Sequence, residues 1–342
     1  MPVQIHQWAD IAEHYNDGLL LGNGASIAVD PRFSYSSLFA AASERGFLTE
    51  PVRQVFERFD NSTDFEYVLR KLWQAKQVNQ ALGIESEVVD AAYQQVRTAL
   101  IETIRATHLT HAEALPNLEP IYQFMRRFKT VLSLNYDLIV YWAALRGNDA
   151  LAGEHRFKDC LVNGALDDDW ARLREPLRRN QTVTIFFYPH GNLVLARNPN
   201  DRELKITADG GRLLEEIIAG WENGRYVPMF VSEGTSVQKR EAIGASNYLS
   251  EVYFNAIPDI GSTLVIYGWR LGEQEAHLLH QLKRSVPRRV AVSLYPLCPE
   301  HQRDAARIEE QLLSIGVAQV EFFDSRSSGC WKNPVVADDV DL

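Results

Sequence analysis

The sequence predicts an α/β protein with a Rossmann-like, mainly parallel sheet, helices on both faces and a large helical insertion after the first strand. Three observations predict this fold. Short apolar runs end in glycine or polar residues, amphipathic segments alternate with such runs beyond residue 129, and a long earlier stretch has almost no strand character. Alternating strands and helices are typical of parallel sheets covered on both faces.

The first predicted strand, residues 18–21, is a buried apolar run closed by a glycine turn at 22–26. Residues 36–128 form the predicted insertion. Its apolar residues recur at helical spacing, which predicts about three to five helices. The sheet domain is therefore discontinuous, covering 1–35 and 129–330. The last residues, 331–342, are predicted to be a frayed tail.

Beyond the insertion, strands and helices are predicted in alternation. The strands are 130–134, 157–162, 182–188, 227–231, 262–268, 289–294 and 319–323, and the helices are 211–220, 238–256, 273–284 and 300–315. Polar clusters follow five of the strands, at 22–26, 135–137, 190–192, 232–235 and Gly268. Because ligands bind at the carboxyl ends of strands in open α/β sheets, we expect a single site there. The alternative is that these clusters are only ordinary polar loops.

Composition narrows the function classes. The chain has 342 residues, 46% of them hydrophobic, and a net charge of −10. This balance is typical of a globular protein, and it disfavours a broad electrostatic contact with nucleic acid or an anionic membrane. No apolar run is long enough for a membrane span, and no signal peptide is recognised, so a cytoplasmic location is expected.

Metal and disulfide chemistry is not expected. Cys160, Cys298 and Cys330 are scattered and form no CxxC pair, which excludes a disulfide framework and a four-cysteine zinc site. The pairs His108 and His111, and His277 and His280, could each share a helix face, but no convincing third ligand lies nearby. We therefore predict no metal and no zinc.

The glycine turn consists of Gly22, Asn23, Gly24, Ala25 and Ser26. Glycines after a first strand allow the backbone to approach a dinucleotide diphosphate. The dehydrogenase fingerprint GxGxxG is not met, since Ile27 holds the third glycine position. The alternative is a tight strand-to-helix turn without a ligand.

Three side chains are candidates for catalysis. Asn135 could bind a ribose hydroxyl or a water, and Asp137 could orient loop amides or a hydroxyl. The alternative for both is an Asx turn that caps the next helix. His190 lies between Pro189 and Gly191 and has the chemistry of a general base, although a loop histidine can also be structural.

Two further loops could contact a nucleotide. Residues 232–236 offer amides and hydroxyls for a phosphate or ribose, or else a helix N-cap. Gly268 would let the chain pass close to a ligand, and Arg270 could contact a phosphate. The alternative for this segment is an ordinary loop. The motifs GxSxG, HExxH and GxxxxGK[ST] are absent, which disfavours an α/β hydrolase, a zincin and a P-loop NTPase.

Taken in order, these segments resemble the sirtuin superfamily, and more closely its bacterial sirtuin-like branch. GNGAS at 22–26 resembles the family's GAGxS, SLNYD at 133–137 its T-x-N-[YI]-D, and YPHG at 188–191 its LHG. SEGTS at 232–236 resembles a later GTS segment, and IYGWRLG at 266–272 a strand end of sirtuin-like proteins. The sequence is also similar to a bacterial family of unknown function related to sirtuins.

The resemblance implies a role for each matched segment. Residues 22–26 would line the diphosphate and ribose of NAD, and Gly268 would lie close to the same ligand. Asn135 and Asp137 would contact the nicotinamide ribose and its attacking water, and His190 would be the catalytic histidine. The adenosine side would be held by Ser232, Gly234, Thr235 and Ser236.

The chain lacks the four-cysteine zinc module of sirtuin deacylases, so protein deacylation is not expected. The leading hypothesis is an NAD-consuming enzyme, an NAD hydrolase or ADP-ribosyl transferase, that acts in bacterial defence. The alternative is a non-catalytic sensor that binds NAD or ADP-ribose, and a third reading is a scaffold with a decayed pocket. A homo-oligomer or a separate regulatory protein remains an open partner, while a membrane or nucleic-acid partner is not expected.

Overall fold

The computed structural model describes residues 3–34, 37–59, 63–231, 235–285, 287–295 and 299–335. The strands are β1 (Ile5–His6), β2 (Gly18–Leu21), β3 (Thr130–Ser133), β4 (His155–Lys158), β5 (Leu161–Val162), β6 (Ala165–Leu166), β7 (Thr182–Phe187), β8 (Gly191–Arg197), β9 (Glu203–Lys205), β10 (Val227–Phe230), β11 (Thr263–Tyr267), β12 (Arg289–Leu294) and β13 (Gln319–Asp324).

The α-helices are α1 (Trp8–Ile11), α2 (Asn23–Val29), α3 (Leu38–Glu44), α4 (Glu50–Arg58), α5 (Phe65–Leu82), α6 (Glu87–Thr107), α7 (His111–Met125), α8 (Ile139–Ala150), α9 (Leu213–Glu222), α10 (Ser236–Gly244), α11 (Asn247–Glu251), α12 (Ala276–Ser285) and α13 (Pro299–Ser314). Among the described helices, none is both long enough and apolar enough to cross a bilayer.

The main sheet has eight parallel strands in the order β1-β13-β12-β11-β2-β3-β7-β4. All four residues of β2 and all four of β3 are buried. Successive side chains of a strand point to opposite faces, so burial of every residue means that both faces are covered. The predicted Rossmann-like α/β fold is confirmed.

The helical insertion follows β2 and contains α3 to α7. α6 packs against α3, α4 and α5, while α7 packs against α8 beside the sheet. Side chains of the insertion, such as Phe56, Phe65 and Leu100, belong to the same buried apolar cluster as those of the sheet strands. The insertion and the sheet therefore share one continuous core.

A second, antiparallel sheet has the order β10-β8-β9. The strand predicted at 227–231 is present as β10, but it pairs with β8 rather than joining the main sheet. β8 was missed, because its first residues were interpreted as a polar loop. All seven of its residues are buried, and the insertion helix α5 packs against its neighbour β10.

Four other expectations differ from the structure in detail. The short edge strand β1 precedes the predicted first strand. The strand predicted at 157–162 is divided into β4 and β5, and β5 pairs with β6 in a hairpin. The helix predicted at 238–256 is interrupted where the Ser246 hydroxyl accepts a hydrogen bond from Leu249 and starts α11. Trp331, predicted to begin a frayed tail, is fully buried.

Candidate functional site

A cavity of about 1000 Å³ opens at the carboxyl edge of the main sheet. Loops that follow β2, β3, β7, β11, β12 and β13 line it. The chain leaves β2 for β3 on one side and later returns to β11 on the other, so the strand order reverses beside β2. Such a switch point is where open α/β sheets bind ligands, and the volume suits a ligand larger than a drug fragment.

The glycine turn forms the part of the wall at this switch point. Gly22, Asn23 and Gly24 line the cavity, whereas Ala25 and Ser26 are buried beneath it. The amide of Gly24 donates to the carbonyl of Gly268 over 2.8 Å. Of the two interpretations from sequence, the tight turn is therefore present, and its glycines also face the cavity.

Close packing of two backbone segments explains why these positions are glycine. A Cβ on Gly24 would lie 2.7 Å from the Cα of Gly268. A Cβ on Gly268, whose φ is +70°, would lie 2.3 Å from the amide nitrogen of Ala25. The loop after β11 can approach the β2 turn only because neither residue has a side chain.

Asn135 is the centre of a buried hydrogen-bond network. Its Nδ2 donates to the carbonyl of Gly22 over 3.0 Å and to the Ser26 hydroxyl over 2.8 Å. The Ser26 hydroxyl in turn donates to Oδ2 of Asp137. Among the described residues, Oδ1 of Asn135 has no hydrogen-bond partner, so Asn135 keeps one acceptor on the cavity wall.

Asp137 joins this network to the start of α8. Its Oδ1 accepts from the amide of Ile139 over 2.9 Å, so the Asx turn considered from sequence is present. Asn192 donates from its side chain to the Asp137 carbonyl over 2.6 Å, which fixes the loop against β8. Burial raises the pKa of Asp137, and hydrogen bonds from the Ser26 hydroxyl and the Ile139 amide oppose that rise.

His108, which was considered only as a metal ligand, supports the same loop. Its Nε2 accepts from the amide of Leu138 over 3.0 Å, while its Nδ1 lies 2.7 Å from the carbonyl of Leu109. A ring that accepts at one nitrogen and donates at the other is neutral. Burial lowers the pKa of His108, in agreement with this tautomer.

His190 lies on the cavity wall beside a second histidine that the sequence did not pair with it. Its Nε2 is 3.0 Å from Nε2 of His277 on α12, and both side chains are buried. Burial, with a further contribution from the Lys239 ammonium, lowers the pKa of His190 well below its ordinary value. The same two causes lower the pKa of His277 to about 4. Both rings are therefore neutral at physiological pH.

The predicted adenosine-binding segment lies outside the cavity wall as far as it is described. Ser232 and Gly234 fall outside the described residues. Thr235 is exposed, and its hydroxyl accepts from the amide of Gln238 as the N-cap of α10. The hydroxyl of Ser236 accepts from the amide of His277 over 3.1 Å, so Ser236 supports the histidine pair.

The opposite side of the cavity is built from charged pairs near solvent. We call the residues Asn135, Asp137 and His190 the β3 wall, and Arg270, Tyr295, Arg326 and Lys332 the β13 wall. Arg270 pairs with Asp304, and Arg326 pairs with Asp324 over 3.1 Å and lies over the Tyr295 ring. The two arginines are about half exposed.

The C-terminal residues complete the cavity. Lys332 and Asn333 line it, and the indole Nε1 of Trp331 donates to the carbonyl of Ala25 over 2.8 Å. The turn after β2 and the residues that follow β13 therefore close the cavity together.

Within the described part of the chain, no three His, Cys, Asp or Glu side chains cluster as a metal site would require.

A model of one protein family, described as a domain of unknown function (DUF4917), matches residues 19–331. The match covers the glycine turn, the insertion, the β3 wall, the β13 wall except Lys332, and Trp331. No curated protein matches the sequence.

Proposed function

We propose that this chain, which belongs to the DUF4917 family, binds NAD in the cavity and cleaves its nicotinamide–ribose bond. The observation that carries the proposal is the meeting of three side chains, predicted as one site from separate parts of the sequence, on the β3 wall. Asn135 and His190 offer polar atoms to a cavity of about 1000 Å³ at the switch point of the sheet.

We further propose that the family is sirtuin-like. Three of the segments that carry the resemblance, at 22–26, 133–137 and 188–191, meet at this cavity although they are far apart in sequence. The segment at 232–236 gives no such support, because its described residues do not line the cavity. The proposal therefore rests on the nicotinamide-ribose end of the site rather than on the adenosine end.

The residues fit the needs of this reaction in a specific way. Oδ1 of Asn135 would accept a hydrogen bond from the attacking water or from a ribose hydroxyl. His190 is neutral, and its Nδ1 would take the proton from that water as the water oxygen bonds to C1′. The C1′–nitrogen bond breaks, its electron pair returns to the pyridine nitrogen, and neutral nicotinamide leaves.

The first experiment incubates the purified protein with NAD and follows nicotinamide and ADP-ribose by chromatography. We expect His190→Ala to lower the rate of nicotinamide release by about 10²-fold or more, and Asn135→Ala by a similar factor. His280→Ala is the matched control, since His280 is an exposed histidine on α12. Equal rates for wild type and His190→Ala, or no release by wild type, would overturn the hydrolase proposal.

One observation favours the second candidate, a sensor that binds NAD or ADP-ribose without turnover. The amide nitrogen of Asn135, both carboxylate oxygens of Asp137 and Nε2 of His190 all have internal hydrogen bonds. A wall held in this way can bind a ligand without any of these groups being free to react. Calorimetric binding of ADP-ribose, together with intact NAD after long incubation, would establish the sensor instead.

A further inference from the structure

We propose that His277 is a positioning residue for His190: it accepts the Nε2–H of His190 and so leaves Nδ1 of His190 as the unprotonated nitrogen. This inference deepens the proposed function and, as far as catalysis is concerned, rests on it. The pair joins two distant parts of the chain, since His190 follows β7 whereas His277 lies in the first turn of α12.

The short distance between the two rings requires one donor and one acceptor. Their Nε2 atoms are 3.0 Å apart, with ring centroids 5.2 Å apart. Two neutral imidazoles satisfy such a contact when only one of the facing nitrogens carries a proton. Two protonated nitrogens, or two bare ones, would repel each other in a buried setting.

The surroundings of His277 decide which ring is the acceptor. His277 hydrogen-bonds the backbone of Gln274, and this contact favours the protonated ring. A contact of that sign comes from a carbonyl, which can only accept. Because Nε2 of His277 already faces Nε2 of His190 over 3.0 Å, we assign the carbonyl contact, and with it the proton of neutral His277, to Nδ1. Its Nε2 then presents a lone pair to His190, and His190 must donate.

His277 is itself held firmly enough to do this. Its amide donates to the Ser236 hydroxyl over 3.1 Å, and its carbonyl accepts from the Tyr253 hydroxyl over 2.9 Å. The ring Nδ1 also lies 3.4 Å from the Ser236 hydroxyl. Three elements, α10, α12 and the π-helical turn at 252–256, therefore fix the acceptor.

The charges around the pair keep both rings neutral. The positive charges of Lys239 and Arg240 on α10 lower the pKa of His277, and that of Lys239 also lowers the pKa of His190. Lys239 is itself buried and paired with Glu275 over 3.0 Å. Because a cation and burial both disfavour an imidazolium, the pair shares one hydrogen bond without a proton being transferred along it.

For His190 the consequence is a defined base. Its Nε2 is occupied, while Nδ1 has no hydrogen bond to any residue that the structure describes. Without His277, the ring would exchange between two tautomers, and only one of them has a lone pair at Nδ1. His277 thus contributes to catalysis without contacting the substrate.

The test combines histidine ¹⁵N NMR with kinetics on the full chain. In wild type we expect His190 to be protonated on Nε2 alone, and in His277→Ala to show both tautomers. Nicotinamide release should fall about 10- to 100-fold in His277→Ala, and the acidic limb of the pH profile should move to higher pH as water enters beside His190. ADP-ribose affinity should stay within about twofold, because His277 does not line the cavity.

His277→Gln supplies a carbonyl acceptor and should restore most of the rate, while His280→Ala should behave as wild type. A His190 ring protonated on Nδ1 in wild type would overturn the proposal, even if His277→Ala does not fold. An identical pH profile in wild type and His277→Ala would also overturn it. If wild type releases no nicotinamide, the proposed function fails, but the two tautomer spectra still decide the role of His277.

Discussion

The two walls of the cavity hold their polar groups in different ways. On the β3 wall, Asn135, Asp137 and His190 are buried, and each is hydrogen-bonded to other buried protein groups. On the β13 wall, Arg270 and Arg326 are about half exposed and paired with single carboxylates. Buried networks are costly to break, whereas exposed ion pairs contribute little to stability. The first wall is therefore built to hold a geometry, and the second to adapt to a ligand.

The largest loss of stability is expected when the buried carboxylate of Asp137 is removed. Asp137→Ala leaves the Ser26 hydroxyl and the Ile139 amide without their acceptor. We expect the free energy of unfolding to fall by about 3 to 5 kcal/mol, measured by urea denaturation, with loss of any nicotinamide release. Asp137→Asn keeps one acceptor and should lose less. A loss below about 1 kcal/mol in Asp137→Ala would mean that the hydrogen bonds of this wall do not act as a cooperative network.

Part of the pH dependence of stability should come from His277, which supports the β3 wall. The folded pKa of His277, about 4, lies below the unfolded value near 6.5, so the unfolded chain binds the proton first as pH falls. Wild type should therefore lose stability between pH 6.5 and 4, by about 3 kcal/mol from this residue alone. In urea denaturation at a series of pH values, His277→Gln should lose about 3 kcal/mol less stability than wild type over this range. His280→Ala, which changes an exposed histidine, should keep the wild-type pH dependence.

The close approach of the loop after β11 to the β2 turn, which lies between the two walls, depends on one glycine. Gly268→Ala places a Cβ against the Ala25 amide and forces a residue with a side chain to adopt a φ of +70°. We expect a loss of about 2 kcal/mol in the free energy of unfolding. Gly244→Ala is the control, since nothing lies within 4 Å of its added Cβ and its φ is not positive. Equal stability of the two variants would show that the loops separate without cost.

The smallest effect on stability is expected on the β13 wall. Arg326→Ala should leave the midpoint of urea denaturation essentially unchanged, because its ion pair with Asp324 is near solvent. Calorimetry should nevertheless find ADP-ribose binding weakened about 3- to 10-fold, and more so at low salt. Arg179→Ala, an exposed arginine outside the cavity, is the control. A large loss of stability with unchanged binding would reverse the assignment of the two walls.

Sequence reasoning predicted the main sheet because its signals are local. The run at 18–21 is apolar and ends in glycine, and the strands at 289–294 and 319–324 are each preceded by an amphipathic helix. Because ligands bind at the carboxyl ends of strands, the strand assignments alone predict that Asn135 and His190 lie at one edge of the sheet. The sequence does not predict β8, because Gly191 and Asn192 at its start are typical of a loop. In the structure Asn192 is fully buried.

The pairing of His190 with His277 could not be predicted in the same way. The two residues lie on different elements, and the only signal at His277 was its spacing from His280, which suggested a metal ligand. His108 likewise gave only its spacing from His111 as a signal, since its role depends on the loop that follows β3. Residues that support a site from a distance are fixed by tertiary packing, whereas residues at strand ends are fixed by local pattern.

The hydrogen bond from the Trp331 indole to the Ala25 carbonyl bears on the order in which the fold can form during synthesis. The turn after β2 is translated before its partner, which follows more than three hundred residues later in the chain. β1 likewise can pair only once β13 has been made, since β13 is the strand beside it in the part of the main sheet that the structure describes. The cavity can therefore be finished only after synthesis has passed residue 331, so a chain still being translated carries the glycine turn without a completed site.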